Sequence, residues 1–252
     1  MNEPQWKVAW LTGASSGLGE AAARRLADGG TIVCISARSA DKLDAIAASS
    51  PNIHAYPADV TDVAALGGVA ARIEADHGPI DLALFCAGAW FPSSISDMKI
   101  DNFHKTFDVN VNGVANGLSV VLPAMLERGR GHVSWISSVA GYGGLPNSAS
   151  YGATKSALIS LAESVKPELE ACGIDVTVIN PGFVETDLTA KNTFPMPFLM
   201  NVDEAGDKMI EGLRKRKFEV AFPWQLVTIL KVLNLLPYPI YFWFIRKFIM
   251  RG

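Results

Sequence analysis

Residues 7–27, KVAWLTGASSGLGEAAARRLA, decide the fold of this chain. A short apolar run from Lys7 passes straight into a glycine-rich turn, and the turn opens an Ala-rich helical pattern. Gly13, Gly17 and Gly19 carry no Cβ, which permits a tight turn, close approach of backbone to a pyrophosphate, and close packing of helix on strand. Amides at the start of the helix then face the phosphates. The spacing is G-x-x-x-G-x-G rather than the commoner G-x-G-x-x-G. Taken by itself, the stretch reads either as a dinucleotide loop or as an ordinary glycine-rich turn between strand and helix.

Further short runs rich in β-branched or aromatic residues follow: TIVCISA from Thr31, IHAYPA from Ile53, DLALFCA from Asp81, GHVSWIS from Gly131, GIDVTVIN from Gly173 and FEVAF from Phe218. Helical patterns separate nearly all of them. Strands that are apolar almost throughout, alternating with helices, predict an α/β protein with a parallel sheet buried on both faces, the doubly wound architecture of the Rossmann fold. No linker, repeat or low-complexity tract interrupts the pattern. The expected organisation is a single catalytic domain over residues 1–222 with a C-terminal helical extension over 223–252.

Composition narrows the function. A hydrophobic content of 49% with 19% charged residues describes a well-buried globular chain rather than a disordered one. The net charge of −3 offers no basic field, and no nucleic-acid-binding motif occurs, so no nucleic acid partner is expected. Cys34, Cys86 and Cys172 are far apart in apolar stretches with no CxxC pair, and read as core residues in a reducing compartment. His54, His77, His104 and His132 are scattered, so no metal is expected. MNEPQWKVAWLTG leaves no room for a signal peptide ahead of the first strand, which predicts a cytoplasmic location.

The chemistry-bearing residues sit where strands end. SARS puts Arg38 where a carboxylate would hydrogen-bond the ribose 2′-hydroxyl of NAD; an arginine there suits the 2′-phosphate of NADP, or is a solvated loop charge. ADV places Asp59 and CAG places Gly88, each either lining a cofactor cleft or simply forming a turn. WISSVAG puts Ser138 at the end of a strand, on the same sheet edge as the glycine loop. FDVNVNG puts Asn110 inside a long helical pattern, where asparagine is mildly unfavourable and needs a reason. YGATK sets Tyr151 and Lys155 four residues apart on one helix face. A lysine there favours the phenolate, lowers the tyrosine pKa and makes a proton donor usable near neutral pH.

In this order and spacing, TGASSGLG, ADV, CAG, DVNVNG, SS before VAGYGG, YGATK and NPGFVETD resemble the short-chain dehydrogenase/reductase family over roughly Lys7 to Pro223. The resemblance implies a catalytic set of Asn110, Ser138, Tyr151 and Lys155. Ser138 is chosen over its neighbour Ser137 because its distance to Tyr151 matches the family's usual spacing. The resemblance also implies an NADP cofactor held by Gly13, Ser15, Ser16, Gly17, Leu18, Gly19, Arg38, Asp59, Val60, Ala87, Gly88, Asn110, Tyr151, Lys155, Pro181, Gly182 and Thr186. In the implied chemistry Tyr151, its pKa lowered by Lys155 and by the positive charge of the nicotinamide, passes a proton to the substrate oxygen as hydride reaches the carbon, and Ser138 holds that oxygen. Lys155 also binds the nicotinamide ribose, and Asn110 fixes a water linking Lys155 to solvent. Where the family commonly has N-N-A-G, this chain has FCAG, and Phe85 and Cys86 are expected to loosen that corner without removing chemistry. Members usually associate through the helices carrying FDVNVNG and YGATK, so a homodimer or homotetramer is expected.

In the place of the family's mobile lid, Phe194, Met196, Phe198, Leu199 and Met200 point to a hydrophobic substrate, lipid-like, acyl, sphingoid or steroid-like, or else pack on the domain. The tail FPWQLVTILKVLNLLPYPIYFWFIRKFIMRG is dense in apolar residues around Pro237 and Pro239. From Leu213 onward, Arg214, Lys215, Arg216, Lys217, Lys231, Arg246, Lys247 and Arg251 stand against Glu219 alone. That asymmetry predicts peripheral contact with the cytoplasmic face of a membrane; packing on the domain or on another subunit is the alternative. The expected function is NADP(H)-dependent transfer of hydride to or from a ketone or secondary alcohol. The competing reading is an NADP-binding sensor or scaffold without turnover, against which the intact Ser, Tyr and Lys set argues.

Overall fold

Strands that are apolar on both sides need both faces covered, and the chain supplies helices to do it. The computed structural model describes residues 4–92, 94–192 and 194–250. Seven strands, β1 (Val8–Thr12), β2 (Ile32–Ser36), β3 (Ile53–Ala55), β4 (Leu82–Phe85), β5 (Gly131–Ile136), β6 (Ile174–Pro181) and β7 (Glu219–Phe222), form one sheet in the order β3-β2-β1-β4-β5-β6-β7. Every pairing is parallel. The helices are α1 (Gly17–Asp28), α2 (Ala40–Ala47), α3 (Val63–His77), α4 (Ile100–Phe107), α5 (Gly113–Arg128), α6 (Ala149–Ala171), α7 (Val202–Arg214), α8 (Trp224–Asn234) and α9 (Tyr238–Phe244).

The pleat of β1 shows how the two layers fill. Ala9 and Leu11 enter a core with Leu26 of α1, Leu43 of α2 and Met209 of α7. Val8 and Trp10 enter a second core with Ile73 of α3, Leu118 of α5 and Leu158 of α6. The two fully buried indoles find partners for their N–H groups: Trp10 Nε1 donates to Ser36 Oγ (2.9 Å) and Trp135 Nε1 to the Leu158 carbonyl (2.9 Å). A π turn at Asp108–Asn112 joins α4 to α5. The continuous run Ile100–Arg128 is apolar and long enough to cross a membrane by composition, but Val114, Leu118, Val121 and Met125 spend it on the core.

Several expectations change here. The FCAG corner is not loose: Phe85 is buried edge-on to Trp10, and its ring fills the space over Gly117 of α5, where an added Cβ would lie 2.4 Å from it. Cys172 is exposed at the end of α6 rather than in the core, and Cys86 is only partly buried. His54 and His77 are not scattered, because the β3 and α3 ends bring their rings within 4.3 Å. The tail breaks at Leu235–Pro237, whereas Pro239 sits inside the first turn of α9, where no intrahelical partner for its nitrogen is needed. Leu226, Leu233, Tyr241 and Ile245 of the tail are buried, and the Tyr241 hydroxyl donates to the Gly144 carbonyl (2.6 Å). Arg251 lies outside the described residues.

Candidate active site

The sheet order reverses at β1, between β2 and β4, and the strand ends open there into one cleft of about 520 Å³. Open α/β sheets bind ligands at such switch points. Every residue anticipated from sequence for cofactor or catalysis lines this cleft except Asn110. Gly13 has φ +65°, and a Cβ on it would come within 2.4 Å of the Ala87 nitrogen, so the turn keeps the loop open by having no side chain. Gly17 opens α1 at φ +58°, with Thr186 close by; a Cβ there would meet the Thr186 methyl at 3.1 Å. Ser16, at the N-cap, spends no side-chain bond on the helix. At the other end Arg38, Ser39 and Lys42 line the cleft and are exposed. Asp59 accepts bonds from the Thr61 nitrogen (2.9 Å) and hydroxyl (2.8 Å), which with the nearby Arg38 charge hold its carboxyl below the ordinary range. A glycine cradle after β1, with a hydroxyl and cations beyond β2 on one side and open space toward the end of β5 on the other, fits a dinucleotide.

At the inner end, α6 carries Tyr151 and Lys155 on one face, with the Lys155 ammonium 5.4 Å from the Tyr151 ring centre. Lys155 is buried and donates to the Ile136 carbonyl at the end of β5 (2.8 Å). The two serines after β5 separate. Ser137 Oγ turns to the backbone of α6, donating to the Lys155 carbonyl (2.7 Å). Ser138 Oγ accepts from the Ala140 nitrogen (3.1 Å), donates to the Pro181 carbonyl (3.3 Å) and lines the cleft together with Tyr151.

The electrostatics run against the expected lowering of Tyr151 by Lys155. Burial pushes the phenol up to about 12, opposed by the Ser138 hydroxyl nearby, and drives the Lys155 ammonium down to about 7. An ammonium lowered to about 7 carries only part of its charge at neutral pH and loses the rest as pH rises. Part of the tyrosine remains open to the cleft, so solvent moderates its upward push. Burial likewise raises the Cys86 thiol to about 12, which leaves it neutral and no nucleophile.

Asn110 lies behind the cleft, fully buried. Its Oδ1 accepts from the Ala89 nitrogen (2.7 Å), and its Nδ2 donates to the Ala89 carbonyl (3.1 Å) and to Thr154 Oγ1 (3.0 Å). That is the reason a helical run tolerates asparagine there: the side chain ties the loop after β4 to α6 and makes no direct bond to Lys155. Sequence reasoning missed Trp90. It is buried, its ring lies 5.0 Å from Tyr151 in an edge-on arrangement, and its Nε1 donates to Asn192 Oδ1 (3.0 Å) in the segment after β6. The only signal was an indole two residues past Gly88. In the anticipated lid, Phe194, Phe198 and Leu199 are exposed, but Met200 belongs to the core, bridged by its backbone to Val184. Thr193 of that segment lies outside the described residues.

A profile of the short chain dehydrogenase family matches residues 7–195. An uncharacterized oxidoreductase of Myxococcus xanthus is 38% identical over 245 residues, covering 96% of this chain and 97% of its own, which carries the match beyond β7 into the C-terminal helices. An uncharacterized oxidoreductase of Staphylococcus haemolyticus is 34% identical over 215 residues, covering 84% of this chain and 93% of its own. Among solved structures, a short-chain dehydrogenase from Streptomyces avermitilis is similar with a TM-score of 0.79 at 27% identity, over 90% of this chain and 92% of that one. Fold, cleft and relatives agree: the chain belongs to the short chain dehydrogenase family, oxidoreductases of Rossmann-like fold that work with a nicotinamide cofactor.

Proposed function

We propose that this oxidoreductase uses NADP(H) to interconvert a ketone and a secondary alcohol on a hydrophobic, lipid-like small molecule, and that it works as a reductase. The observation that carries the reading is the meeting of Ser138, Tyr151 and Lys155 at one end of the cleft whose other end is lined by Arg38 and Lys42. When bound, the nicotinamide supplies the hydride that reaches the carbonyl carbon. The Ser138 hydroxyl orients the carbonyl oxygen, and Tyr151 gives its proton to that oxygen as the C–O double bond becomes single. A phenol raised by burial is protonated across the neutral range, which suits it to give a proton rather than take one. Lys155, anchored by the Ile136 carbonyl, stands close enough to steady the phenolate that remains. Trp90 packs edge-on against Tyr151 and covers one side of its ring.

NADP is preferred over NAD in this reading because no carboxylate stands at the end of β2, where Arg38 and Lys42 offer cations to a 2′-phosphate. A hydrophobic substrate is supported by Trp90 at the tyrosine and by the exposed Phe194, Phe198 and Leu199. A sensor without turnover has no need of the serine, tyrosine and lysine together. The test is Tyr151→Phe assayed by NADPH oxidation against carbonyl compounds graded in chain length and ring number. Turnover is expected to vanish while NADPH affinity stays nearly unchanged. Near-normal reduction by the folded variant overturns the mechanism, and a wild type that binds NADPH yet reduces none of the series favours the sensor.

A further inference from the structure

We infer that α8 and α9 seat this protein on an anionic lipid bilayer, lying in the plane of its surface. The two helices are not loose. Leu226, Leu233, Tyr241 and Ile245 turn inward, Lys231 pairs with Glu219, and Tyr241 is tied to Gly144, so the opposite face is held out in a fixed shape. That face is apolar and aromatic: Leu235 is 83% exposed, Tyr238 76% and Trp224 72%, with Ile229, Val232, Ile240, Phe242, Trp243 and Phe248 beside them. A soluble surface scatters such residues singly; a contiguous set marks an interaction site.

Charge selects the occupant. From Val220 to Met250 the chain has no carboxylate. The Glu219 carboxylate is already engaged by Lys231, by the Tyr142 hydroxyl (2.6 Å) and by Asn180 Nδ2 (2.8 Å). Of the cations counted in the sequence, Lys215 pairs with Glu211 and Arg216 with Asp175, so the count of eight overstates what the tail presents. Arg246 and Lys247 remain on α9's continuation, with the Lys247 ammonium 4.8 Å from the Trp243 ring centre. A second copy of this chain is a poor cover, because a two-fold contact through this face would bring like charges together with no acid to pair them. Anionic headgroups over a hydrocarbon layer match both features, and aromatic residues with basic neighbours are what interfacial helices carry. Spanning is ruled out by length: α8 has 11 residues and α9 has 7, against the roughly 20 that a bilayer needs.

The same helices pack against Gly143, Gly144 and Leu145, just past the turn that follows Ser138. Docking therefore brings the lipid surface beside the loop flanking the site. Delivery of a lipophilic substrate rests on the proposed function, whereas docking does not. The test accordingly uses neither substrate nor cofactor: full-length protein is floated with vesicles of phosphatidylcholine alone or with about a quarter phosphatidylglycerol. Wild type is expected to float with the anionic vesicles at low salt. The pair Arg246→Gln and Lys247→Gln should weaken partition about thirtyfold, from roughly fivefold per basic residue. Tyr238→Ser with Trp243→Ser, both on exposed positions, should abolish it without changing thermal unfolding. Wild type that stays behind at low salt overturns the inference. So does partition that both variants leave intact, or a serine variant whose only change is in oligomer size, which would make this face an interface between copies.

Discussion

Replacing Asn110 tests the site from behind, without touching a group in the cleft. Asn110→Leu keeps much of the volume but removes three hydrogen bonds and leaves the Ala89 N–H and carbonyl without their partners. Each buried group left unsatisfied costs about 1–3 kcal/mol. Ala89 is only partly buried, and water from the cleft recovers some of this, so the net loss is roughly 2–4 kcal/mol. For a chain of this size 1 kcal/mol moves Tm by about 2–4 °C, which puts the expected drop at roughly 5–15 °C in a thermal melt. Asn110→Asp retains an acceptor for the Ala89 nitrogen but sets an oxygen against the Ala89 carbonyl. Its carboxyl fits there only when protonated, so folding raises its pKa. Stability from that bond is then present below the ordinary aspartate range and lost as pH rises through the folded-state value, and the Tm gap to wild type should narrow in acid. Turnover should fall in both variants, because Trp90 follows Ala89 and rests on Tyr151. A leucine variant that melts within about 1 °C of wild type, or an aspartate variant whose deficit does not change with pH, would refute the role assigned to these bonds.

Arg38→Ala should cost tenfold to a hundredfold in NADPH affinity by fluorescence titration, the equivalent of about 1.5–3 kcal/mol for a charge-assisted contact, and leave NADH binding unchanged; equal losses for both cofactors would contradict the assignment. Lys155 gives a pH signature: burial lowers it to about 7, so its ammonium is complete below that value and fades above it. If the phosphates and ribose of NADPH raise its pKa on binding, affinity is highest below pH about 7 and falls by up to about tenfold per pH unit above it. Lys155→Met should flatten that slope in calorimetric titrations, and a wild type with no slope would argue that the ammonium plays no part. Assembly through α5 and α6 predicts at least a dimer by light scattering at micromolar concentration, and a single-chain mass counts against it.

Local sequence determined the elements and the edge of the sheet where the chemistry sits. Apolar strands and Ala-rich helices declare themselves within about ten residues, because period and turn chemistry are short-range. The glycine loop, Ser138 and the Tyr151–Lys155 pair follow from those elements, since strand ends and helix faces dictate where they point. Tertiary structure decided what no short window contains. Asn110 meets Ala89 across 21 positions, Trp90 reaches Asn192 across 102, and Tyr241 reaches Gly144 across 97. The same holds for Phe85, which fills the space that Gly117 leaves, and for Arg216, which finds its acid in Asp175 of β6. The direction of the Tyr151 and Lys155 shifts also depended on tertiary structure. Spacing fixes which charges are neighbours, but burial sets the solvation of each, and here desolvation is the largest cause of both shifts.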